Sequence, residues 1–186
     1  NASRWSGVFC ALIAEMGGCR RQEEFLGRLG SRLHDQHVDS VVLLLTPTGT
    51  HLQPVYISAE AFAQDALHIV EAQLGAPWRA WELDCQPPCP PAGIVGPQVH
   101  LSESVDELAQ IVPALAQPAL AQLFGGRRSI YVPLWGEGMV IGALILFSES
   151  LDDLDRASLQ LFGRLVSAML DCARRLEEEH NHLAKL

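Results

Sequence analysis

RSIYVPLWGEGMVIGALILF, residues 128–147, decides the architecture: two apolar runs, Ser129 to Leu134 and Met139 to Phe147, joined by Gly136-Glu137-Gly138. Large and β-branched residues on either side of a glycine turn predict a β-hairpin. A helix follows, capped by Asp152 or Asp153, in which Leu159, Phe162, Val166, Met169, Ala173, Leu176, His180 and Leu183 fall three or four residues apart. That is the a/d seam of a coiled coil. A second stripe, Leu161, Leu165, Ala168 and Cys172, runs beside the seam and stops at Arg174-Arg175. Two stripes require two partners. The helix is therefore expected to pack on its own domain up to Cys172 and to leave from Ala173 as one strand of a dimeric coiled coil. Arg174 to Glu178 and Arg175 to Glu179 supply i,i+4 pairs on the outgoing stretch, and His180 weakens the seam. The alternative is an ordinary surface helix with a solvated charged end. Together the hairpin and the tail read as a sensor module with an output helix rather than an enzyme.

Working outward, 186 residues with 48% apolar content suit one domain with flanking helices. The longest apolar run, Met139 to Phe147, is far short of the roughly 20 residues that span a bilayer, and the N-terminus lacks a secretion signal. No membrane segment is expected in this piece. A chain opening on Asn1 rather than Met reads as part of a longer protein, with Asn1-Ala2 as a cloning remnant. A net charge of −9 argues against a nucleic-acid groove, which needs clustered Lys and Arg. Five cysteines without paired spacing do not form a secreted disulfide framework, which points to the cytoplasm.

Along the chain, Trp5, Phe9, Leu12, Ile13 and Met16 mark a helix, Gly17-Gly18 a break, and Phe25, Leu26, Leu29 and Leu33 a second helix. Val38 to Thr46 and His51 to Ser58 predict another hairpin around Pro47-Thr48-Gly49-Thr50, its first arm central in the sheet. Ser58 is the expected N-cap of a single helix carrying Phe62, Ala66, Ile69, Val70 and Leu74 and ending at Gly75. Trp81 to Cys85 suggests a short strand, the proline-rich Cys85 to Pro97 a loop, and Val99 to Leu101 another short strand. Ser102 is then expected to cap a helix over 105–124, kinked or split at Pro113 and Pro118. Hairpins dominate, so the expected fold is α+β, a largely antiparallel sheet with helices on its faces.

The segments Ser129 to Leu134, Gly138 to Leu146 and Leu159 to Ala173 resemble the GAF domain family, ligand-sensing modules of histidine kinases, cyclases, phosphodiesterases and transcription activators. The shared pattern is an apolar strand ending in Val132-Pro133-Leu134, a glycine turn, a strand containing Ile141-Gly142, and a closing helix; Phe25 to Leu45 is similar to the family's opening helix and first strand. The resemblance implies a roughly six-stranded antiparallel sheet, with the N- and C-terminal helices packed together on one face and a ligand cavity on the other. It divides the chain into an N-terminal helix and linker (1–23), a GAF-like sensory domain (24–172) and the start of a coiled-coil output helix (173–186). It further implies a homodimer through the terminal helices and a downstream effector, such as a histidine kinase, in the parent chain. Pro133 suits a strand end, and Gly142 permits close approach of a helix or a ligand; the alternative for both is packing alone.

Candidate ligand-contacting residues are Tyr56, Trp78, Trp81, Cys85, His100 and Tyr131, aromatic walls with a few polar tips that suit an apolar or aromatic metabolite; the same rings equally suit a core. Cys85 and Cys89 enclose Pro87-Pro88 and leave three readings open: plain loop thiols, a redox pair, or a metal site with His100 as a third donor. A free methionine-sulfoxide reductase of the GAF fold uses loop cysteines, but its glycine-rich and acidic motifs do not recur here. Bilin attachment needs a Cys-His dipeptide, which is absent. Haem would need His68 or His100 in the pocket. Cys10, Cys19 and Cys172 read as small core residues. No catalytic triad or phosphate loop occurs, and the cofactor, if any, is unidentified.

Overall fold

The computed structural model describes residues 4–84, 98–103, 122–123 and 127–186. Helices α1 (Arg4–Glu15) and α2 (Gln22–Asp35) lead into β1 (Asp39–Leu45) and β2 (His51–Ile57). Then come α3 (Ala59–Phe62), α4 (Gln64–Leu74), a 3-10 turn (Trp78–Ala80) and the strands β3 (Leu83–Asp84) and β4 (His100–Ser102). The quoted stretch forms β5 (Ser129–Gly136) and β6 (Met139–Phe147), and α5 (Arg156–Ala184) closes the chain. One six-stranded sheet results, in the order β3-β2-β1-β6-β5-β4, antiparallel at every pairing. The two expected hairpins meet through β1 and β6, and β1 is central as expected.

Alternation along the strands sends side chains to two cores. Val42, Ile130, Val132, Leu134, Leu144 and Leu146 face α1, α2 and α5, meeting Trp5, Phe9, Leu29, Phe162 and Val166. Val41, Leu43, Tyr131, Ala143, Ile145 and Phe147 face the other side, where Leu67, Val70, Trp78 and Trp81 cover them. The terminal helices thus share one face, as the resemblance implied. Parallel contacts hold α1 on α5: the Ser6 and Ser158 hydroxyls lie 2.7 Å apart, and Phe9 stacks on Phe162 at 4.3 Å.

Glycines set the closest approaches. A Cβ on Gly142 would stand 2.1 Å from the Leu43 carbonyl oxygen, so the backbone that approaches it is the neighbouring strand β1. A Cβ on Gly163 would meet Val132 Cγ1 at 2.6 Å and the Pro133 oxygen at 2.8 Å, which lets α5 close onto β5. The ladder shifts register between Leu134 and Trp135. There the Trp135 backbone N–H donates to Ser167 Oγ of α5 at 2.8 Å, while the same hydroxyl donates to the Gly163 carbonyl at 2.6 Å.

Several expectations need correction. Ser58 is not a side-chain N-cap: its hydroxyl accepts from the Ser40 N–H at 3.1 Å and so is spent joining β1 to β2. The helix after it is split at Ala63, whose φ of −150° is not helical. Pro133 lies inside β5 rather than at its end. It is tolerated there because, among the described residues, β4 pairs only with Ser129, Ile130 and Tyr131, which leaves one edge of the strand open at the proline. Cys10 and Cys172 are exposed, and only Cys19 of these three is buried. Gly75 does end α4 in the left-handed region, and Asp152 forms a capping box with Asp155 ahead of α5. The proline-rich loop and, apart from residues 122–123, the helix expected over 105–124 fall outside the described residues; Ser102, the expected cap, ends β4 opposite Ser129. No helix of the described residues is long and apolar enough to cross a membrane.

Candidate functional site

Strand β5 carries the candidate site. Its alternation places Ile130 and Val132 under α5 and Tyr131 on the opposite face. Tyr131 is 0% exposed, and its hydroxyl finds no hydrogen-bond partner among the described residues. Burial pushes its pKa well above the usual phenol range, so the group is a protonated donor at any physiological pH. Such an orphan is rare, because a buried polar group without a partner costs about 1–3 kcal/mol.

The sequence candidates divide around it. Trp78 and Trp81 join Tyr131 in one apolar cluster; the Trp81 indole N–H donates to the Ala76 carbonyl at 2.9 Å, so this ring supplies wall rather than polarity. His100, half-buried on the edge strand β4, is registered directly opposite Tyr131, with ring centroids 6.3 Å apart. Tyr56 belongs to the other cluster and, of these candidates, shares a groove only with Trp78. It packs with the cluster under the terminal helices, against Gly30 of α2, where a Cβ would overlap its ring. Tyr56 lines a separate groove of about 270 Å³ with Leu26, Phe62, Trp78 and Arg79. Burial, then the charges of Asp39 and Glu60, push the Tyr56 phenol up to about 12. Cys85 and Cys89 lie outside the described residues. His68 is exposed on α4 and so is not a haem ligand in a pocket. Among the described residues no three His, Cys, Asp or Glu side chains gather as a metal site.

The seam also divides. Leu159, Phe162, Val166 and Ala173 are buried in the chain's own core, and Met169 packs at its margin; this part of the seam is covered by the sheet and α1 and is not a free dimer face. Burial ends at Ala173. Leu176 at 43% and Leu183 at 69% are exposed, as are His180, Ala168 and Cys172. Leu161, on the second stripe, is 57% exposed. The helix has two apolar sides as expected, with the roles of the two stripes exchanged before Ala173.

Sequence reading missed a polar junction below β1. The Asp39 carboxylate takes His34 Nδ1 at 3.0 Å and Arg127 at 2.5 Å. Burial pushes this carboxyl up, but hydrogen bonds from His34 and Arg127 and the Arg127 charge outweigh it and hold the pKa below the usual value. His34 also stacks on Phe62 with centroids 3.7 Å apart. His34 and Asp39 are five residues apart across the α2–β1 turn, but Arg127 is distant in sequence, so no spacing announces the junction. Gly30 and Gly163, glycines inside helices where alanine is about 1 kcal/mol better, were the legible signal of close packing.

No family model and no curated sequence matches the chain. Solved structures do. Residues 122 to 287 of a methyl-accepting chemotaxis protein superpose with a TM-score of 0.60 at 18% identity, covering 90% of this chain and 98% of that one. The GAF domain of an Acinetobacter phosphoenolpyruvate-protein phosphotransferase gives 0.60 at 12%, covering 94% and 97%. This chain has the GAF fold. A free methionine-R-sulfoxide reductase from Neisseria meningitidis also matches, at 0.60 and 16%, covering 94% and 95%, so the GAF fold by itself accommodates both sensors and an enzyme.

Proposed function

We propose that this GAF-fold chain is a non-catalytic sensory module of a larger, cytoplasmic signalling protein, which binds a small molecule on the Tyr131 face and passes its state through α5 to a downstream effector. The observation that carries the reading is the buried, unpartnered Tyr131 hydroxyl on the face away from the terminal helices. The same strand grips α5 from behind, through Gly163 against Pro133 and Ser167 against Trp135. A group that moves Tyr131 therefore acts on the strand on which the output helix sits. Mass spectrometry of the protein purified under native conditions is the test: a stoichiometric small molecule lost from Tyr131→Phe supports the reading, and a protein that neither retains nor takes up any small molecule refutes it.

The dimer belongs to the outer face of the terminal helices. Leu161, Leu165, Ala168, Cys172, Leu176 and Leu183 form its α5 stripe, and the exposed positions of α1 between Gly7 and Ala14 are all small or apolar. Leu161→Arg with Leu176→Arg is expected to yield a folded monomer by light scattering. An unchanged dimer would remove this face as the interface. Val166→Arg would not test it, because Val166 is a core residue.

A further inference from the structure

The groove of about 270 Å³ is lined by residues of α2, β2, α3 and the 3-10 turn. It lies where β2 runs past its short partner: among the described residues β3 pairs only with His51 and Leu52, and the groove begins at Val55 and Tyr56. Three aromatic residues line it, Tyr56, Phe62 and Trp78. Arg79 joins Glu23 of α2 to Glu60 of α3, at 3.4 and 3.3 Å. Its guanidinium lies over the Trp78 ring, 4.4 Å from the centroid. A cation of the chain's own thus already occupies an aromatic face of this groove.

The charges fix the sign of what can enter. Glu23, Glu60 and Arg79 are the charged residues among those lining the groove, and two carboxylates sharing one guanidinium leave one negative charge uncompensated. Burial first, and then the charges of Asp39 and Glu60, push the Tyr56 phenol up to about 12, so the potential at that ring is negative as well. A carboxylate or phosphate would add like charge to like, and a neutral body would leave the surplus unmet. A primary ammonium needs acceptors for three N–H donors, whereas the ring faces supply none and the carboxylates already accept from Arg79. A methylated ammonium has no such requirement, and its charge is attracted to the faces of aromatic rings. The small volume suits a compact head with a short tail.

We propose that this groove binds a small methylated ammonium compound, its head against the Tyr56, Phe62 and Trp78 rings and its charge met by Glu23 and Glu60, with Arg79 displaced from Trp78. The site is separate from the Tyr131 face, and its failure leaves the reading of that face untouched.

Proton–nitrogen NMR titration of the full chain tests it, with tetramethylammonium, choline, the neutral isostere of choline 3,3-dimethylbutan-1-ol, and glycine betaine, which adds a carboxylate to the same head. Choline or tetramethylammonium is expected to shift the Trp78 indole N–H resonance saturably, and choline to bind about fivefold or more tightly than either its isostere or betaine. That preference is expected to fall below about twofold in Phe62→Leu and in Glu60→Gln, both substitutions at residues that are partly exposed, with either variant sufficient if the other fails to fold. Arg79→Ala is expected to bind choline more tightly than wild type, because the competing guanidinium is gone. An isostere or betaine that binds as well as choline, a preference that survives both substitutions, or no saturable shift at Trp78 up to about 10 mM of either cation overturns the assignment.

Discussion

Removing the Tyr131 hydroxyl should stabilise the ligand-free protein. The group is fully buried and has no partner among the described residues, so the folded chain carries the desolvation cost of a hydroxyl without the bond that offsets it. That cost is about 1–3 kcal/mol, and Tyr131→Phe keeps the ring that fills the space between Ile145 and His100. Taking the low end, about 1 kcal/mol, a chain of 186 residues should gain about 2–4 °C in Tm. Thermal unfolding of the purified, ligand-stripped variant beside wild type is the assay. A bound ligand should reverse the order, because it stabilises the native state in proportion to its affinity, and that affinity is higher where the phenol can donate. A ligand-free Tyr131→Phe that melts 2 °C or more below wild type would refute the reasoning, since the hydroxyl would then have a partner inside the chain. Burial also raises this phenol's pKa above the unfolded value, so its neutral form contributes stability that is complete below about pH 10 and is lost as the pH rises beyond; the phenylalanine variant should show a shallower alkaline limb.

Gly142→Ala should cost roughly 3 kcal/mol, because its Cβ would meet backbone, the Leu43 oxygen, at 2.1 Å; a urea midpoint within error of wild type would show that β1 and β6 can separate cheaply. Asp39 has a folded pKa below its unfolded value of 3.8, so its ionised form contributes stability above that pH and loses it as the pH falls through the folded value. Asp39→Asn should therefore destabilise at pH 7 and match wild type progressively below pH 4 in urea titrations, and a pH-independent difference would place the effect elsewhere. Reduction of free methionine sulfoxide, followed by thiol consumption, is expected to be absent; turnover that disappears in Cys85→Ser would replace the sensory reading with a catalytic one.

What the sequence made legible was whatever depends on local pattern. The hairpins follow from runs of strand-forming residues around Gly49 and around Gly136 and Gly138, and the helix ends from Gly75 and Asp152. The site was legible only in its parts. Tyr131, Trp78 and Trp81 share a cluster, but Tyr56 was grouped with them because its aromatic character carries no information about which sheet face it occupies. The register does: Val42 pairs with Tyr56 and lies under the terminal helices. The seam misled for a related reason. Apolar spacing on α5 shows that a face is buried and not whether the sheet, α1 or a second copy buries it, and the clue that the sheet wins was Gly163 with Ser167, two poor helix formers on the face that touches β5.

That contact limits how a signal can leave the Tyr131 face. Over the described residues β5 touches α5 at Gly163, where Val132 and the Pro133 oxygen already sit at the distance a methyl group would claim. It touches again at Ser167, whose hydroxyl joins the bulged Trp135 to the Gly163 carbonyl. Tight packing transmits displacement rather than absorbing it, so a shift of β5 toward the helix has to be taken up by α5 as a whole. Beyond Ala173 no core holds the helix back, and its 29 residues extend about 44 Å, so a small rotation at Gly163 becomes a larger displacement at Leu183. A ligand produces that rotation only to the extent that it binds one position of β5 better than the other, and couplings of this kind amount to about 1–3 kcal/mol. Ser167→Ala, which frees the bulge from the helix without touching the Tyr131 face, should therefore leave ligand affinity within about threefold while abolishing any ligand-dependent change in spin-label distance between Leu183→Cys sites in the proposed dimer; a distance change that persists would mean the signal reaches α5 by another route.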